Sequence, residues 1–431
     1  MSQHGAPDWS VLNARLGAEL MPWGPPLDDG RVIEVAESFV LPGGGVSGSE
    51  GRGFEAEYGA VRQRVGVMRL PQRAILELTG ADVKDYLHRL CTQEINQLEG
   101  GATVRAFQLD EKGRIAADLI VHHGDPGKGG STWLEMDVFD LPWVRDLVEA
   151  RLFTEDVTVE DRTGQRELLW LLGPAAVRLL DAVVADGEGG RVAQMGATPG
   201  THHVVGLPMG TDGLTRCTAY RWDLGGVLGV RLVVPSGHVV EVYERLLTAS
   251  GYEIGAEADA AYAERRRGSM RGRPVGWSAF NTVRVEEGVP WYHVDFGRDS
   301  LPAEVPGPWG IDGAVSFTKG CYLGQEVVAR MKSLGHPKRL LVGLRVDSVE
   351  TRGVEMPGVP HAGAEVFEAG GAKKVIGGIT SSTASPLRGQ AGIALAVVRW
   401  GRHQPGTAVS LPAEGRVVGA TEVETDKLVG G

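Results

Sequence analysis

The pattern of predicted strands and helices changes at Gly335, and this change constrains the fold more than any other feature of the sequence. After Gly335, short apolar runs are bounded by glycine and proline, and no helical periodicity lies between them. Such runs predict β-strands, and a region made only of strands favours a small β-barrel. The predicted strands of this region cover residues 340–345, 375–380, 392–398 and 408–410.

The region before Gly335 mixes strands, helices and hairpins. Helical periodicity predicts helices at residues 81–90, 143–152, 175–185 and 239–249. Alternating patterns predict strands at residues 74–78, 103–109, 115–122, 132–136, 168–172 and 227–234. The turn D-E-K-G at residues 110–113 joins two of these strands into a hairpin. Because hairpins interrupt the strand–helix alternation of a doubly wound parallel sheet, the predicted class is α+β.

Length and composition indicate a soluble protein with two or three domains. The chain has 431 residues, of which 42% are hydrophobic and 23% charged, and this is too long for one ordinary core. A net charge of −11 disfavours general electrostatic binding to nucleic acid. Cys91, Cys217 and Cys321 are too far apart to indicate a disulfide framework or a C-x-x-C metal site. Neither an export signal nor a membrane span is found, so we expect a cytoplasmic protein without stably bound metal.

One cysteine lies in the octapeptide K-G-C-Y-L-G-Q-E, residues 319–326, and this segment predicts a reactive thiol. Residues 325–332 have helical periodicity, so Cys321 precedes a helix N-terminus and follows Lys319 closely. A nearby ammonium and a helix N-terminus both favour the thiolate, which is the reactive form of cysteine. The alternative is a small buried hydrophobic residue, as most free cysteines are. The residues alone do not decide between the two.

The octapeptide resembles the signature of the YgfZ family, folate-binding proteins of iron–sulfur cluster assembly and repair that are relatives of the glycine-cleavage T-protein (aminomethyltransferase). Further segments resemble these families in the same order along the chain: E-Y-G-A-V-R with V-G-V at 57–67, L-T-G-A-D and L-C-T-Q-E-I at 78–95, L-G-P at 172–174, R-V-E-E-G at 284–288, and G-I-T-S with S-P at 378–386. The resemblance implies a T-protein-like cloverleaf of two α+β subdomains and a C-terminal small β-barrel, with folate in a central channel. The predicted divisions are an N-terminal extension and glycine-rich connector (1–52), a folate-binding region (53–335) and the barrel (336–431).

Asp118 aligns with the aspartate that T-protein-like enzymes place beside the reacting nitrogen of tetrahydrofolate. The resemblance therefore implies a folate contact and a catalytic role for Asp118, and the alternative is a hairpin aspartate in a turn or at a strand edge. T-proteins commonly have two consecutive aspartates here, whereas this chain has Ala117 in the first place. The absence of the first aspartate argues against aminomethyl transfer but leaves folate binding open.

Five other residues of the matching segments are predicted to bind folate. The resemblance places Arg284 and Glu286 near the pterin, whose aminopyrimidine edge donates paired hydrogen bonds to a carboxylate; the alternative is a surface ion pair. Tyr322 is a candidate for stacking on a planar ligand, with core packing as the alternative. Gln325 and Glu326 begin the helix after the cysteine, where Glu326 is also explained by helix-end electrostatics.

Three further features have weaker functional interpretations. Five arginines in residues 265–273 predict either contact with a polyglutamylated folate tail or RNA, or a solvated insertion paired with acidic neighbours, which we favour. The glycine-rich loop at 124–130 lacks a phosphate-binding pattern and predicts a hairpin turn. The histidine pairs at 122–123 and 202–203 are adjacent in sequence, so they do not predict a metal site.

The sequence therefore leads to one main hypothesis and two alternatives. The main hypothesis is a tetrahydrofolate-binding protein that supports assembly or repair of Fe–S enzymes, including tRNA-modifying ones by family resemblance, with Cys321 as the reactive residue. Its expected partners are folate and Fe–S enzymes or their assembly factors, and neither nucleic acid nor a membrane. The first alternative is an aminomethyltransferase-type enzyme that moves a one-carbon unit to tetrahydrofolate. The second is a folate-dependent scaffold in which Cys321 is buried packing.

Overall fold

The computed structural model describes residues 8–40, 53–124, 130–210, 213–255, 268–351, 354–369 and 374–429. The chain forms two compact units that alternate along the sequence. The first unit comprises Met1–Ala81, Leu98–Val104 and Ile120–Phe280, and the second comprises Asp82–Gln97, Arg105–Leu119 and Asn281–Gly431. The three divisions predicted from the sequence stay a prediction.

Three segments interpreted above lie wholly or partly outside the described residues. They are the glycine-rich connector before Gly53, the loop at 125–129 and the start of the arginine-rich segment up to residue 267. Among the helices of the described residues, none has the length and apolar character needed to cross a membrane.

The helices of the described chain agree with the predicted ones where the apolar periodicity is long. The predicted helix at 239–249 is confirmed, and its buried residues recur at the spacing of one helix face. The predicted helix at 175–185 is shorter in the structure and ends at Asp181. In chain order the helices are α1 (Ser10–Leu16), α2 (Gly53–Gln63), α3 (Val83–Leu90), α4 (Leu141–Glu149), α5 (Ala176–Asp181), α6 (Gly189–Ala197), α7 (Val239–Ala249), α8 (Trp277–Glu286), α9 (Ile311–Ala314) and α10 (Gln325–Leu334).

Most predicted strands are present, and the structure adds several that the sequence patterns did not indicate. The additions include β1, β2, β10, β11, β17 and β21 of the list that follows. In chain order the strands are β1 (Ala18–Pro22), β2 (Glu34–Phe39), β3 (Gly66–Arg69), β4 (Arg73–Thr79), β5 (Ala102–Leu109), β6 (Ile115–His123), β7 (Thr132–Asp137), β8 (Thr158–Asp161), β9 (Arg166–Leu172), β10 (His202–Met209), β11 (Gly213–Arg221), β12 (Gly229–Pro235), β13 (Arg273–Pro274), β14 (Arg339–Val346), β15 (Val349–Thr351), β16 (Val354–Met356), β17 (Glu365–Glu368), β18 (Val375–Ser385), β19 (Ala391–Arg399), β20 (Ala408–Ala413) and β21 (Arg416–Val423).

The first unit contains a six-stranded sheet in the order β10-β11-β12-β9-β3-β13. The pairings are antiparallel except for β13 with β3. Helix α7 buries Val239, Val242, Tyr243, Leu246 and Leu247 in the same core as inward residues of β9 and β12. An apolar stripe on a helix facing alternate residues of a sheet is what stabilises such a layer.

A second sheet has the order β5-β6-β7-β4-β8 and includes the predicted hairpin. The turn between β5 and β6 is held by Asp110, whose Oδ1 accepts the backbone N–H groups of Lys112 (2.9 Å) and Arg114 (2.8 Å). Gly113 has a φ of 74°, which glycine adopts without strain. Aspartate at the start and glycine at the end of the turn therefore explain this hairpin locally.

The C-terminal region forms a closed six-stranded barrel in the order β14-β19-β18-β17-β20-β21, which confirms the predicted fold class. Its interior is lined by alternate residues, for example Val342 and Leu344 of β14 with Ala394 and Ala396 of β19. Register shifts lie within β17 and between Ile379 and Ser381 of β18. Bulges of this kind bend a strand and help a small sheet to close.

Glu422 is an exception to the apolar lining of the barrel. It lies on β21 with Val418 and Ala420, two residues apart along the inward face, and is buried. Neither of its carboxylate oxygens has a hydrogen-bond partner among the described residues. Burial raises the pKa of Glu422 to about 7 from the usual 4.5.

We expect Glu422 to contribute a fall in stability as the pH rises from about 4.5 to 7. The folded state binds this proton more tightly than the unfolded state, so raising the pH through this window favours unfolding by about 3 kcal/mol. Glu422→Gln removes this contribution, so urea denaturation at pH 5 and pH 8 measures the difference in pH dependence between wild type and the variant. Exposed Glu365→Gln on β17 is the control, and equal pH dependence of wild type and Glu422→Gln contradicts the prediction.

Candidate functional site

Lys319 of the octapeptide caps the C-terminal end of α3 in the second unit. Its Nζ donates to the backbone carbonyl oxygens of His88, Cys91 (2.6 Å) and Gln93 (3.1 Å). The last carbonyls of a helix lack intrahelical partners and carry partial negative charge, so a cation there is stabilising. The side chain is only 8% exposed, and burial lowers the pKa of Lys319 to about 8.

We expect Lys319→Met to lower the free energy of unfolding by about 1–3 kcal/mol, because it removes a donor from three carbonyl groups. Urea denaturation followed by circular dichroism measures the change. The matched control is Lys427→Met, since Lys427 is 60% exposed and pairs with Glu424 on the surface. Equal stability of the two variants contradicts the capping role.

The remaining predicted residues of the octapeptide lie in different environments. Cys321 is exposed, and Tyr322 is buried in the core of the second unit, where burial raises its pKa to about 12. Gln325 donates weakly from Nε2 to the carbonyl of Gly320 (3.5 Å), and Glu326 is exposed in the first turn of α10. The effect of Lys319 on Cys321 and the folate contacts of Tyr322, Gln325 and Glu326 stay predictions.

Two glycines bring the start of α10 against the β5–β6 turn. Gly324 has a φ of 80°, and a Cβ atom there lies 2.8 Å from the carbonyl oxygen of Asp110. A Cβ atom on Gly113 lies 2.7 Å from the Cβ of Val327. Because both distances are shorter than real Cβ contacts, glycine is required on both sides of this approach. The octapeptide is therefore packed on the hairpin that carries Asp118.

Asp118 of β6 is bound by Arg105 of β5 in a bidentate ion pair. Nε of Arg105 donates to Oδ1 of Asp118 at 2.8 Å, and Nη2 donates to Oδ2 at 2.7 Å. The side chains are 9% and 16% exposed. The guanidinium carbon lies 5.5 Å from the ring centre of Phe107 and 5.6 Å from that of Trp309. The site is a mostly buried, oriented carboxylate whose guanidinium partner lies near two aromatic rings.

Arg284 and Glu286 lie in the last turn of α8 and contact the barrel strand β18. Arg284, 1% exposed, donates from Nη1 to Asp295 Oδ2 (2.6 Å) and from Nη2 to the hydroxyl of Ser381 (2.6 Å). Glu286 accepts the hydroxyl of Ser385 at 2.5 Å. On a helix the two side chains diverge, and each reaches a different serine. Their folate contacts stay predictions, and the contacts in the structure join α8 to β18.

A cleft of about 620 Å³ lies between the loop at 293–300 and strands β18 and β19. Asp295 forms part of its wall and accepts the hydroxyls of Thr380 (2.7 Å) and Ser381 (2.6 Å) through Oδ1. Sequence reasoning missed Asp295, because the two hydroxyl groups that it accepts are more than 80 residues away along the chain.

The first unit contains a separate buried polar cluster around Glu135 of β7. This carboxylate, 1% exposed, pairs with Arg73 Nε (2.9 Å) and Arg231 Nη1 (2.6 Å) and accepts the hydroxyl of Tyr220. His122 Nε2 lies 3.5 Å from it. Burial alone raises the pKa of a carboxyl, but the guanidinium groups of Arg231 and Arg73 hold the pKa of Glu135 well below its usual range.

The structure thus separates the predicted site residues into three clusters. Lys319 caps α3, Tyr322 lies in the same core as Phe107 of the hairpin in which Asp118 is paired, and Arg284 with Glu286 contacts the barrel strand β18. Arg105 was missed, although opposite charges on the two strands of one predicted hairpin are a recognisable signal. No sequence signal pointed to Trp309, because it lies in a loop far from Arg105 along the chain.

Two family profiles match the chain and together cover most of it. The GCVT N-terminal domain matches residues 33–319, and the glycine cleavage T-protein C-terminal barrel domain matches residues 339–426. The chain belongs to the glycine cleavage T-protein family. The second match coincides with the closed barrel described above.

Curated relatives in this family share the same name at modest identity. Aminomethyltransferase of Herpetosiphon aurantiacus is 26% identical over 378 residues, which are 86% of this chain and 89% of the relative. That of Moorella thermoacetica is 27% identical over 372 residues, 84% of this chain and 86% of the relative. The crystal structure of the glycine cleavage system aminomethyltransferase T from Bartonella henselae has a TM-score of 0.72 and 20% identity, covering 97% of this chain and 96% of its own, and shows the same fold.

These relatives correct the main hypothesis drawn from the sequence. They are named aminomethyltransferases and match along most of their length, so a role in Fe–S assembly or repair is wrong as the main interpretation, and the one-carbon alternative is favoured. Fe–S partners and tRNA modification have no support either. The hypothesis gave too much weight to eight residues, of which Lys319 and Gly324 have packing roles in the structure.

Proposed function

We propose that this protein is an aminomethyltransferase that moves a one-carbon unit from an aminomethyl donor to tetrahydrofolate. The observation that carries the proposal is the oriented carboxylate of Asp118, held on the β5–β6 hairpin within the matched GCVT domain. The names of the curated relatives support the same reaction class. Because residue 117 is alanine, the proposal depends on the single carboxylate of Asp118 at this place in the chain.

The proposed reaction joins the methylene carbon of an aminomethyl-lipoyl carrier to tetrahydrofolate. The carbon–sulfur and carbon–ammonia bonds break, two carbon–nitrogen bonds form, and the two protons lost from folate nitrogens go to the thiol and to ammonia. Tetrahydrofolate supplies the nucleophilic amines when bound. Asp118 has a free lone pair on each oxygen beyond those used by Arg105, so it can accept an N–H group of the substrate and orient that nitrogen.

The residues around Asp118 fit a planar, amine-bearing substrate. Trp309 is half-buried beside Arg105 and offers an aromatic face, and the ring of Phe107 also lies near the guanidinium. A carboxylate that is mostly removed from water interacts more strongly with an amine than an exposed one does. Asp118 is therefore the residue that we assign to substrate contact, with Trp309 as a stacking surface.

The test is the transfer reaction itself with the full chain. Purified protein is mixed with an aminomethyl-lipoyl carrier and tetrahydrofolate, and methylene-tetrahydrofolate is quantified with folate-free and protein-free controls. We expect product formation that depends on both substrates. Product at the level of the protein-free control overturns the proposal, even when titration calorimetry detects folate binding.

Membership in the YgfZ branch is a separate proposal about ancestry. The octapeptide at 319–326 supports it, and it does not change the activity proposed here. The predicted reactivity of Cys321 belongs to the same proposal, which is supported by the exposure of this thiol.

A further inference from the structure

We infer that Arg105 is a positioning residue for the transfer reaction, because it holds the carboxylate of Asp118 in one orientation. This inference rests on the proposed function and concerns a residue that no sequence motif singled out. It assigns Arg105 no contact with substrate and no transfer of a proton.

The geometry of the pair leaves the Asp118 carboxylate little freedom. Two nearly parallel N–H···O bonds of 2.8 and 2.7 Å join the planar guanidinium to both carboxylate oxygens. A bidentate pair of this kind fixes the plane of the carboxylate as well as its distance. The lone pairs that remain on Oδ1 and Oδ2 therefore point in set directions before substrate arrives.

Because the Arg105–Asp118 pair is buried, its orientation of the carboxylate is more important than its contribution to stability. Removing both charges from water is costly, and buried ion pairs are often no more stabilising than apolar residues of similar size. The side chains of Arg105 and Asp118 are 9% and 16% exposed, so their pair is a buried ion pair of this kind. Nη1 of Arg105 is buried without a hydrogen-bond partner in the described parts of the chain, so the guanidinium is placed for Asp118 at the expense of one of its own donors.

Two aromatic rings also lie near the guanidinium of Arg105. Phe107 follows on the same strand, and Trp309 comes from the loop before α9, with ring centres 5.5 and 5.6 Å from the guanidinium carbon. Cation–π contacts at such distances favour arginine over lysine, whose ammonium also lacks the planar fork. Lysine at position 105 therefore keeps the charge but loses the orientation.

The experiment compares R105K with the matched control R69K. Arg69, in the first unit, pairs with Glu167 through one hydrogen bond (2.8 Å) and lies over the ring of Trp9 (4.1 Å). We expect R105K to lower kcat by about 100-fold, as small displacements of a catalytic group do, with KM changed by less than about 3-fold. R69K retains both constants.

If R105K does not fold, a second variant, R105A, still tests the inference. R105A is assayed with and without added guanidinium ion, and recovery of kcat with guanidinium but not with ammonium supports the positioning role. A folded R105K with the kcat of wild type, or a folded R105A that guanidinium leaves unchanged, overturns the inference while the proposed function stands. Absence of transfer by the wild-type protein overturns the proposed function, and the inference with it.

Discussion

Replacing Asp118 with asparagine lowers the rate of aminomethyl transfer by about 10²–10⁴-fold, the range that a positioned acid–base group contributes. Asparagine has nearly the same volume, so the loss reports the charge and the acceptor capacity of the group. One of the two positions that accept from Arg105 also becomes an amide N–H₂, which cannot accept a hydrogen bond. The variant therefore loses both the substrate contact and its fixed orientation.

The measurement is single-turnover formation of methylene-tetrahydrofolate by Asp118→Asn and by a control on the same hairpin. Asp110→Asn is suited to this comparison, because asparagine also accepts the turn hydrogen bonds of Lys112 and Arg114. We expect the control to remain within about 2-fold of wild type. A folded Asp118→Asn variant with the wild-type rate contradicts the role of this carboxylate.

Replacing Glu135 with alanine destabilises the protein by about 3–5 kcal/mol, the cost of removing one partner from a buried ion pair. The substitution leaves the guanidinium groups of Arg73 and Arg231 without their shared carboxylate, and it leaves Tyr220 without its acceptor. Arg231 cannot easily reach water, since its guanidinium lies 4.1 Å from the ring centre of Trp170. Arg231 therefore remains buried without this carboxylate, and Arg73 loses one of its partners.

Denaturant unfolding measures this change, with Glu160→Gln as the control. Glu160 is 50% exposed and pairs with Arg162 on the surface, so its replacement is expected to cost less than about 1 kcal/mol. The pH dependence provides a second readout. The pKa of Glu135 is lowered in the folded state, so its stabilisation is present above the usual value of 4.5 and declines as the pH falls below it. A Glu135→Ala variant as stable as Glu160→Gln contradicts the prediction.

The two carboxylates Glu135 and Glu422 show how environment decides the sign of a pH effect. Both are buried, but Glu135 has two guanidinium partners and Glu422 has no hydrogen-bond partner among the described residues. The first is therefore stabilising when ionised, and the second when protonated. Neither property is visible in the sequence, where each is an ordinary glutamate in an alternating strand.

The sequence by itself determined the local structure and the family. The D-E-K-G turn, the apolar stripe at 239–249 and the strands after Gly335 are each encoded within about ten residues, and all three are present in the structure. Strands β10 and β11 were missed, because their burial follows packing in the sheet more than alternation in the sequence. The ordered motifs placed the chain in the T-protein superfamily, whereas the octapeptide alone led to the wrong function.

Only the tertiary structure decided which groups the functional residues contact. Lys319 meets carbonyl groups more than 220 residues earlier in the chain, and Arg284 meets a serine 97 residues later. Whether Arg105 and Asp118, 13 residues apart, pair with each other or with solvent depends on the rings and strands packed around them. The physical reason is that turns and helices are encoded by neighbouring residues, whereas the partner of a buried charge is chosen by the packing of a whole unit.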